Sequence, residues 1–140
     1  MFHSSKDRIR FSKLNSLIGS SQSGWHEYNL EVVAEELDNL DPQCWEKLFD
    51  FISSKDTYWR SRCTAALGEC KNSRCLELLS KILITDVDKE IKLTCISTLE
   101  DEDYILDKEY KSCLNTLLDD MNKNIDFMYY DVKRLLDKIK

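Results

Sequence analysis

Glycine and proline are scarce in this sequence, with 3 glycines and 1 proline among 140 residues. A β-sandwich or barrel needs turn-forming residues every few positions, so this scarcity argues against an all-β fold. Hydrophobic residues make up 42% of the chain and charged residues 33%, which is enough apolar material for the core of one ordinary domain. We therefore predict an all-α fold of helices joined by short polar loops, in a single domain over residues 1–140.

The sequence also lacks most patterns that indicate catalysis or cofactor binding. It has two histidines, His3 and His26, and no C-x-x-C pair, so neither a Cys–His nucleophile nor a structural zinc site is favoured. The three glycines are isolated, which argues against a glycine-rich phosphate loop. The acidic run 86–90 lacks the glycine and the final acid of a calcium loop, and helix capping explains its aspartates. We expect no enzyme activity, no cofactor and no metal.

No apolar run is long enough to span a membrane, and Lys81 interrupts even the richest one, residues 76–84. Lys6, Arg8 and Arg10 stand where a signal peptide needs its apolar stretch. Six cysteines are enough for three disulfides, but the absence of a signal and the size of the core favour reduced thiols. We expect a soluble, cytoplasmic protein that is a monomer when free and does not bind a membrane.

Acidic residues outnumber basic ones, 26 against 20, giving a net charge of −6. This balance is unfavourable for a protein that neutralises nucleic-acid phosphates. The segment from Asp86 to Asp126 holds 12 acids and 5 bases, so it carries −7 whereas the remainder carries +1. The sequence thus predicts a negative face that steers a basic partner. The alternative is that these acids cap helices and cover solvated helix surface.

Three cysteines begin helix-period apolar stretches that align with one another. Nine-residue stretches from Cys44 and Cys75 share apolar first, second, fifth, eighth and ninth positions, and the stretch from Cys113 keeps four of these. A second type of helix alternates with them, in which Asp56 or Asp88 is an N-cap followed by apolar residues after three, seven and eleven positions. Two helix types at a period of about 32 residues are typical of a helical repeat array. In such helices five cysteines are packing residues: Cys44, Cys63, Cys75, Cys95 and Cys113.

Residues 59–69, WRSRCTAALGE, resemble the first helix of a HEAT repeat, particularly of the short bacterial HEAT-like kind. Residues 76–92 are similar to the second helix, its aspartate-bearing linker and the opening of the next repeat, and the clearest repeat signal covers 56–99. The chain departs from the family pattern at Glu100, where a glycine is expected, and in the expanded connection 101–108. The resemblance implies a short right-handed α-solenoid of about three HEAT-like helix pairs plus an N-terminal helix.

In size and acidic charge the chain also resembles small HEAT-like immunity proteins, which neutralise a partner toxin in toxin–immunity pairs. This resemblance implies a non-catalytic protein that binds a basic, nuclease-type toxin domain through an acidic surface, without contacting nucleic acid itself. One alternative is an adaptor or assembly scaffold. Another is a HEAT-like enzyme that acts on nucleic acid or attaches a chromophore, and Trp59, Arg60 and Arg62 form the only cluster that fits base stacking.

The HEAT resemblance places the second helix of each repeat on the concave, partner-binding face. The acidic candidates for partner binding are Glu46, Asp50, Glu77, Asp101, Glu102, Asp103, Asp119 and Asp120. Tyr129 and Tyr130 are both candidate aromatic anchors for an interface. They are adjacent and point in different directions, so we expect at least one of them to be exposed. The competing interpretation is that these two tyrosines pack within the last helix pair.

Overall fold

The structure, a computed structural model, describes residues 5–21, 25 and 29–140, so His3 and His26 lie outside the described residues. Within this part of the chain the regular elements are all helical and no strand occurs, which confirms the all-α prediction. The α-helices are α1 Ser5–Ile18, α2 Leu30–Asp38, α3 Pro42–Ser53, α4 Thr57–Gly68, α5 Arg74–Thr85, α6 Lys89–Asp101, α7 Lys111–Asp119 and α8 Tyr129–Asp137. A short 3-10 helix, Lys108–Tyr110, precedes α7.

Aspartate side chains cap the N-terminal ends of three of the α-helices described above. The carboxylate of Asp56 accepts a hydrogen bond from the Trp59 backbone N–H at 2.9 Å, and that of Asp88 accepts one from Ile91 at 3.0 Å, as the sequence predicted. Asp41 caps α3 in the same way, ahead of a proline at the first helical position. Each cap satisfies a backbone donor that has no partner within the helix, and stabilises the helix by about 1 kcal/mol.

The end of α6 differs from the HEAT pattern. The helix continues to Asp101, so Glu100 lies inside its last turn rather than at a glycine-type stop. The chain turns at Asp103 instead, whose φ of 51° is in the left-handed region. Hydrogen bonds from Tyr104 N to Leu99 O at 2.9 Å and from Asp103 N to Glu100 O close the turn, the arrangement of a Schellman cap.

The chain forms two compact units, Met1–Cys75 and Leu76–Lys140. In the N-terminal unit α2 packs on α1 and α4, and α4 also packs on α1 and α3. Fully buried side chains of this core include Phe11, Leu14, Ile18, Leu37, Leu48, Ile52 and Leu67. The prediction of a single domain over residues 1–140 stays a prediction.

In the C-terminal unit α8 packs on both α6 and α7, and the 3-10 helix packs on α7. Its fully buried side chains include Leu79, Leu83, Ile91, Ile96 and Leu99. A carboxylate joins α6 to α8: Glu100 pairs with Arg134 and, at 3.2 Å, with Lys138. Lys138 also pairs with Asp103 at 3.0 Å, and Arg134 pairs with Asp131, so five charged side chains form one network.

All six cysteines are free thiols. Four of the five predicted packing cysteines, Cys44, Cys63, Cys75 and Cys95, are buried, which confirms their packing role. Cys113 is only half-buried, because it faces a groove beside α7 instead of the centre of the core.

Candidate partner-binding surface

All eight acidic candidates are exposed to solvent. Two lie one turn apart on α3, one lies on α5, and the other five lie at the ends of α6 and α7 or just beyond them. In chain order these are Glu46 and Asp50, then Glu77, then Asp101, Glu102 and Asp103, then Asp119 and Asp120. The prediction that these residues bind a partner stays a prediction. Their exposure follows from the cost of burying an unpaired charge.

The densest group of acids follows the end of α6. We call residues 101–109 the acidic segment; its exposed acids are Asp101, Glu102, Asp103, Asp107 and Glu109. The carboxylate of Asp103 is engaged by Lys138, so only part of its charge is available to a partner. The structure describes no ion pair for Asp101 or Glu102, which leaves both carboxylates facing solvent.

Large apolar side chains are exposed in the connections of the same unit. The side chain of Phe127 is 90% exposed and that of Ile125 is 78% exposed, and both lie between α7 and α8. Tyr130, in the first turn of α8, is 54% exposed. We call Ile125, Phe127 and Tyr130 the apolar cluster. Val87, before α6, and Ile105, within the acidic segment, are also exposed.

The connection that carries the apolar cluster is ordered by its own side chains. The carboxylate of Asp126 accepts a hydrogen bond from the Asn122 backbone N–H at 2.7 Å, and the Asn122 side chain accepts one from Asn124 N at 2.9 Å. The backbone N–H of Asp126 also donates to the Asn122 carbonyl. Phe127 therefore stands on a turn that is already formed, which lowers the entropy cost of presenting it to a partner.

Tyr129 and Tyr130 differ in exposure. Tyr129 is half-buried and Tyr130 is exposed, and their rings meet edge to face with centroids 5.3 Å apart. This confirms that at least one of the pair is exposed. Sequence reasoning missed Ile125 and Phe127, because apolar residues are assigned to the core by default. The signal that identifies them is their position among polar residues, in the stretch MNKNIDFM, where no helical stripe continues.

A groove of about 490 Å³ lies in the C-terminal unit between the end of α5, the start of α6 and α7. Its wall includes Val87, Lys92, Cys113 and the candidate Asp120. The Lys92 ammonium donates to the Leu83 carbonyl at 2.7 Å, so it caps the C-terminal end of α5. Acidic and basic side chains both line the groove, and it meets the acidic surface at Asp120 and at Glu109 of the acidic segment.

Trp59, Arg60 and Arg62, the cluster on which the nucleic-acid alternative depends, make contacts within the N-terminal unit. Trp59 is buried, and Arg62 donates to the carbonyls of Ile18 and Ser20 at 2.7 and 2.8 Å. Arg60 donates to a backbone carbonyl just before α4. A base could stack on Trp59 only if this core opened, so the sequence feature behind that alternative has a structural role.

None of the helices in the described ranges combines the length and the apolar character that a membrane crossing requires. No match was found with a family model, with a curated protein or with a solved structure.

Proposed function

We propose that this chain is a protein-binding module that captures a basic partner through its C-terminal unit. One observation carries the proposal: the unit exposes acidic and large apolar side chains in the same places, at the ends of its helices and in the connections between them. This unit has 15 acidic and 10 basic residues, a net charge of −5, whereas the N-terminal unit carries −1. Exposed charge speeds the association of two proteins, and exposed apolar surface contributes affinity once they are in contact. Both occur here in the same segments.

The two kinds of side chain have different roles in this proposal. The carboxylates of Asp101, Glu102, Asp119 and Asp120 attract a positively charged partner over a distance of about 10 Å and speed its association. The apolar cluster supplies affinity, because covering apolar surface contributes about 25 cal/mol per Å². Phenylalanine is among the aromatic residues enriched at protein interfaces, so Phe127 is the expected aromatic anchor of this cluster.

The proposal includes the repeat architecture and the partner class that the resemblance implies. Helices contact their next-but-one neighbours in each unit, α2 with α4 and α6 with α8, which supports an α-solenoid of HEAT-like helix pairs. We propose that the chain is a cytoplasmic immunity protein and that its partner is a basic, nuclease-type toxin domain. The substrate site of a nuclease is basic because it binds phosphates, so an acidic protein seated there blocks it.

The test is the association rate with a defined probe, the protein encoded by the adjacent reading frame. Two double reversals, Asp101→Lys with Glu102→Lys and Asp119→Lys with Asp120→Lys, should each slow association roughly tenfold at low salt. High salt should slow the unmodified protein in the same way, because it screens exposed charges. Replacing Phe127 by Ser should instead speed dissociation, by roughly tenfold or more.

The matched control is Glu31→Lys with Glu35→Lys, which changes the net charge equally on exposed positions of α2 in the N-terminal unit. It should leave association nearly unchanged. Equal effects of all three reversals would show that net charge alone matters and would contradict a specific surface. No binding to the adjacent gene product, with binding to other basic proteins retained, would remove the toxin–immunity assignment and leave the adaptor alternative.

A further inference from the structure

Three side chains with metal-ligating atoms meet in the N-terminal unit, at the end of α2 and at the connection between α4 and α5. The sulfur atoms of Cys70 and Cys75 and a carboxylate oxygen of Asp38 all lie within 4.8 Å of one another. We propose that Asp38, Cys70 and Cys75 form a binding site for one thiophilic divalent cation of the zinc or cadmium class.

The donor set selects this class of metal. Thiolates bind soft and borderline ions and disfavour Mg²⁺ and Ca²⁺, whose ligands are oxygens. A carboxylate beside two thiolates favours Zn²⁺ or Cd²⁺ over Cu⁺, which prefers sulfur alone. Asp38 and Cys70 are half-buried, so solvent reaches the site and a water molecule completes the four ligands.

The backbone between the two cysteines fixes the carboxylate. One oxygen of Asp38 accepts hydrogen bonds from the backbone N–H groups of Lys71 and Asn72, both at 2.8 Å. Such outer hydrogen bonds orient ligating carboxylates in metal sites. A carboxylate has lone pairs on two oxygens, so these bonds leave capacity for a cation.

The two sulfur atoms and the carboxylate oxygen are close enough to bind one metal ion after a small movement. Zinc binds sulfur at about 2.3 Å and carboxylate oxygen at about 2.0–2.2 Å, so tetrahedral ligand atoms lie roughly 3.5–3.8 Å apart. Closing the present cluster to that size requires shifts of about 1 Å, within the reach of side-chain rotation at Cys70. Cys75 is the second residue of α5 and is buried, so its sulfur is held in place while Cys70 moves toward it.

Metal binding here exchanges protons for the cation. The Cys70 sulfur lies 3.4 Å from the carbonyl oxygen of Ala66 and 3.5 Å from that of Ala34, at distances where a thiol donates a hydrogen bond. A thiol that donates to a backbone carbonyl carries its proton, and it must lose that proton to become a thiolate ligand. Each thiol that becomes a ligand releases its proton to solvent as the metal–sulfur bond forms, so affinity increases with pH.

The test uses the full chain, reduced with a phosphine and freed of metal by a chelator, and Cd²⁺ alone as the probe. The thiolate-to-cadmium charge-transfer absorption should saturate at one equivalent, and Zn²⁺ should displace the cadmium. Cys70→Ser should weaken Cd²⁺ binding at least tenfold, and Asp38→Asn, which keeps an acceptor for the two N–H groups, should weaken it severalfold. Cys113→Ser, which removes the other half-buried thiol, is the control and should bind as the unmodified chain does.

Circular dichroism of each variant establishes that it is folded before titration. Absence of the absorption band in the unmodified chain would overturn the proposal. Equal weakening by Cys70→Ser and Cys113→Ser would also overturn it, since it would mean that Cd²⁺ binds thiols without regard to their place. Unchanged binding by folded Asp38→Asn would remove the carboxylate from the site and overturn the three-residue assignment.

Discussion

The guanidinium of Arg62 joins three segments of the N-terminal unit although its side chain is only 5% exposed. It donates to the carbonyl of Ile18 at the end of α1, to that of Ser20 in the following loop, and to the hydroxyl of Tyr58. It also lies over two aromatic rings, 4.2 Å from the centroid of Tyr58 and 5.2 Å from that of Trp25. The last carbonyls of a helix have no partner within it, and here a buried cation provides one.

We expect Arg62→Met to lower the free energy of unfolding by about 2–4 kcal/mol. The methionine fills much of the space but leaves buried carbonyl groups without donors. Arg62→Lys should cost less, because it keeps the charge and loses only the planar fork of donors. Urea unfolding followed by circular dichroism measures both changes.

The comparison variant for Arg62 is Arg74→Met, at an exposed residue in the first turn of α5. It should change the free energy of unfolding by less than about 0.5 kcal/mol. If Arg62→Met lowered the free energy of unfolding no more than Arg74→Met does, the hydrogen bonds of Arg62 would contribute no net stability. The proposal that Arg62 stabilises the contact between these segments would then be wrong.

At the level of the helices, Glu100 links α6 to α8. Partial burial alone raises its pKa, but the hydrogen bonds and positive charges of Arg134 and Lys138 outweigh this effect, and the net pKa is below its usual value. The native state therefore binds the Glu100 proton less readily than the unfolded chain does. The resulting stability is fully present above the unfolded pKa of about 4.3, and it is lost as the pH falls through the lower native pKa.

Unfolding free energies measured between pH 7 and pH 3 should therefore decrease more steeply for the unmodified protein than for Glu100→Gln. At neutral pH the variant should be the less stable of the two, and the difference should narrow as the solution is acidified. Glu77→Gln, an exposed change on α5, should keep the slope of the unmodified protein. Parallel curves for Glu100→Gln and the unmodified protein would contradict this assignment.

Local patterns in the sequence were sufficient to predict the helix starts. Asp56 and Asp88 are followed at fixed distances by apolar residues, and both form the predicted caps because an N-cap depends on only a few neighbouring residues. The end of α6 was not predictable in this way. Asp103 turns left-handed there and pairs with Lys138, which is 35 residues further along the chain, and no local pattern contains that contact.

The exposure of the acidic side chains on the candidate surface was predictable from the sequence, but the exposure of its apolar side chains was not. Exposure of Asp101, Glu102, Asp119 and Asp120 follows directly from charge. Exposure of Ile125 and Phe127 contradicts the general preference of apolar residues for the core, and the sequence signal for it is only their position in a polar stretch without a helical stripe. The cluster of Asp38, Cys70 and Cys75 likewise depends on the packing of α2 against α4, which brings together residues distant in sequence.

For the whole molecule, the exposed apolar cluster has a consequence for the colloidal behaviour of purified protein. At neutral pH each copy carries a net charge of −6, which makes copies repel one another, and the side chains of Phe127 and Ile125 are exposed. The isoelectric point is about 5.0, so this repulsion vanishes in mildly acidic buffer while the apolar side chains remain uncovered. Light scattering of a concentrated sample should rise near that pH. The proposed function adds one expectation: a partner bound on the apolar cluster covers these side chains, so the complex should remain in solution at an acidic pH where the free protein scatters light.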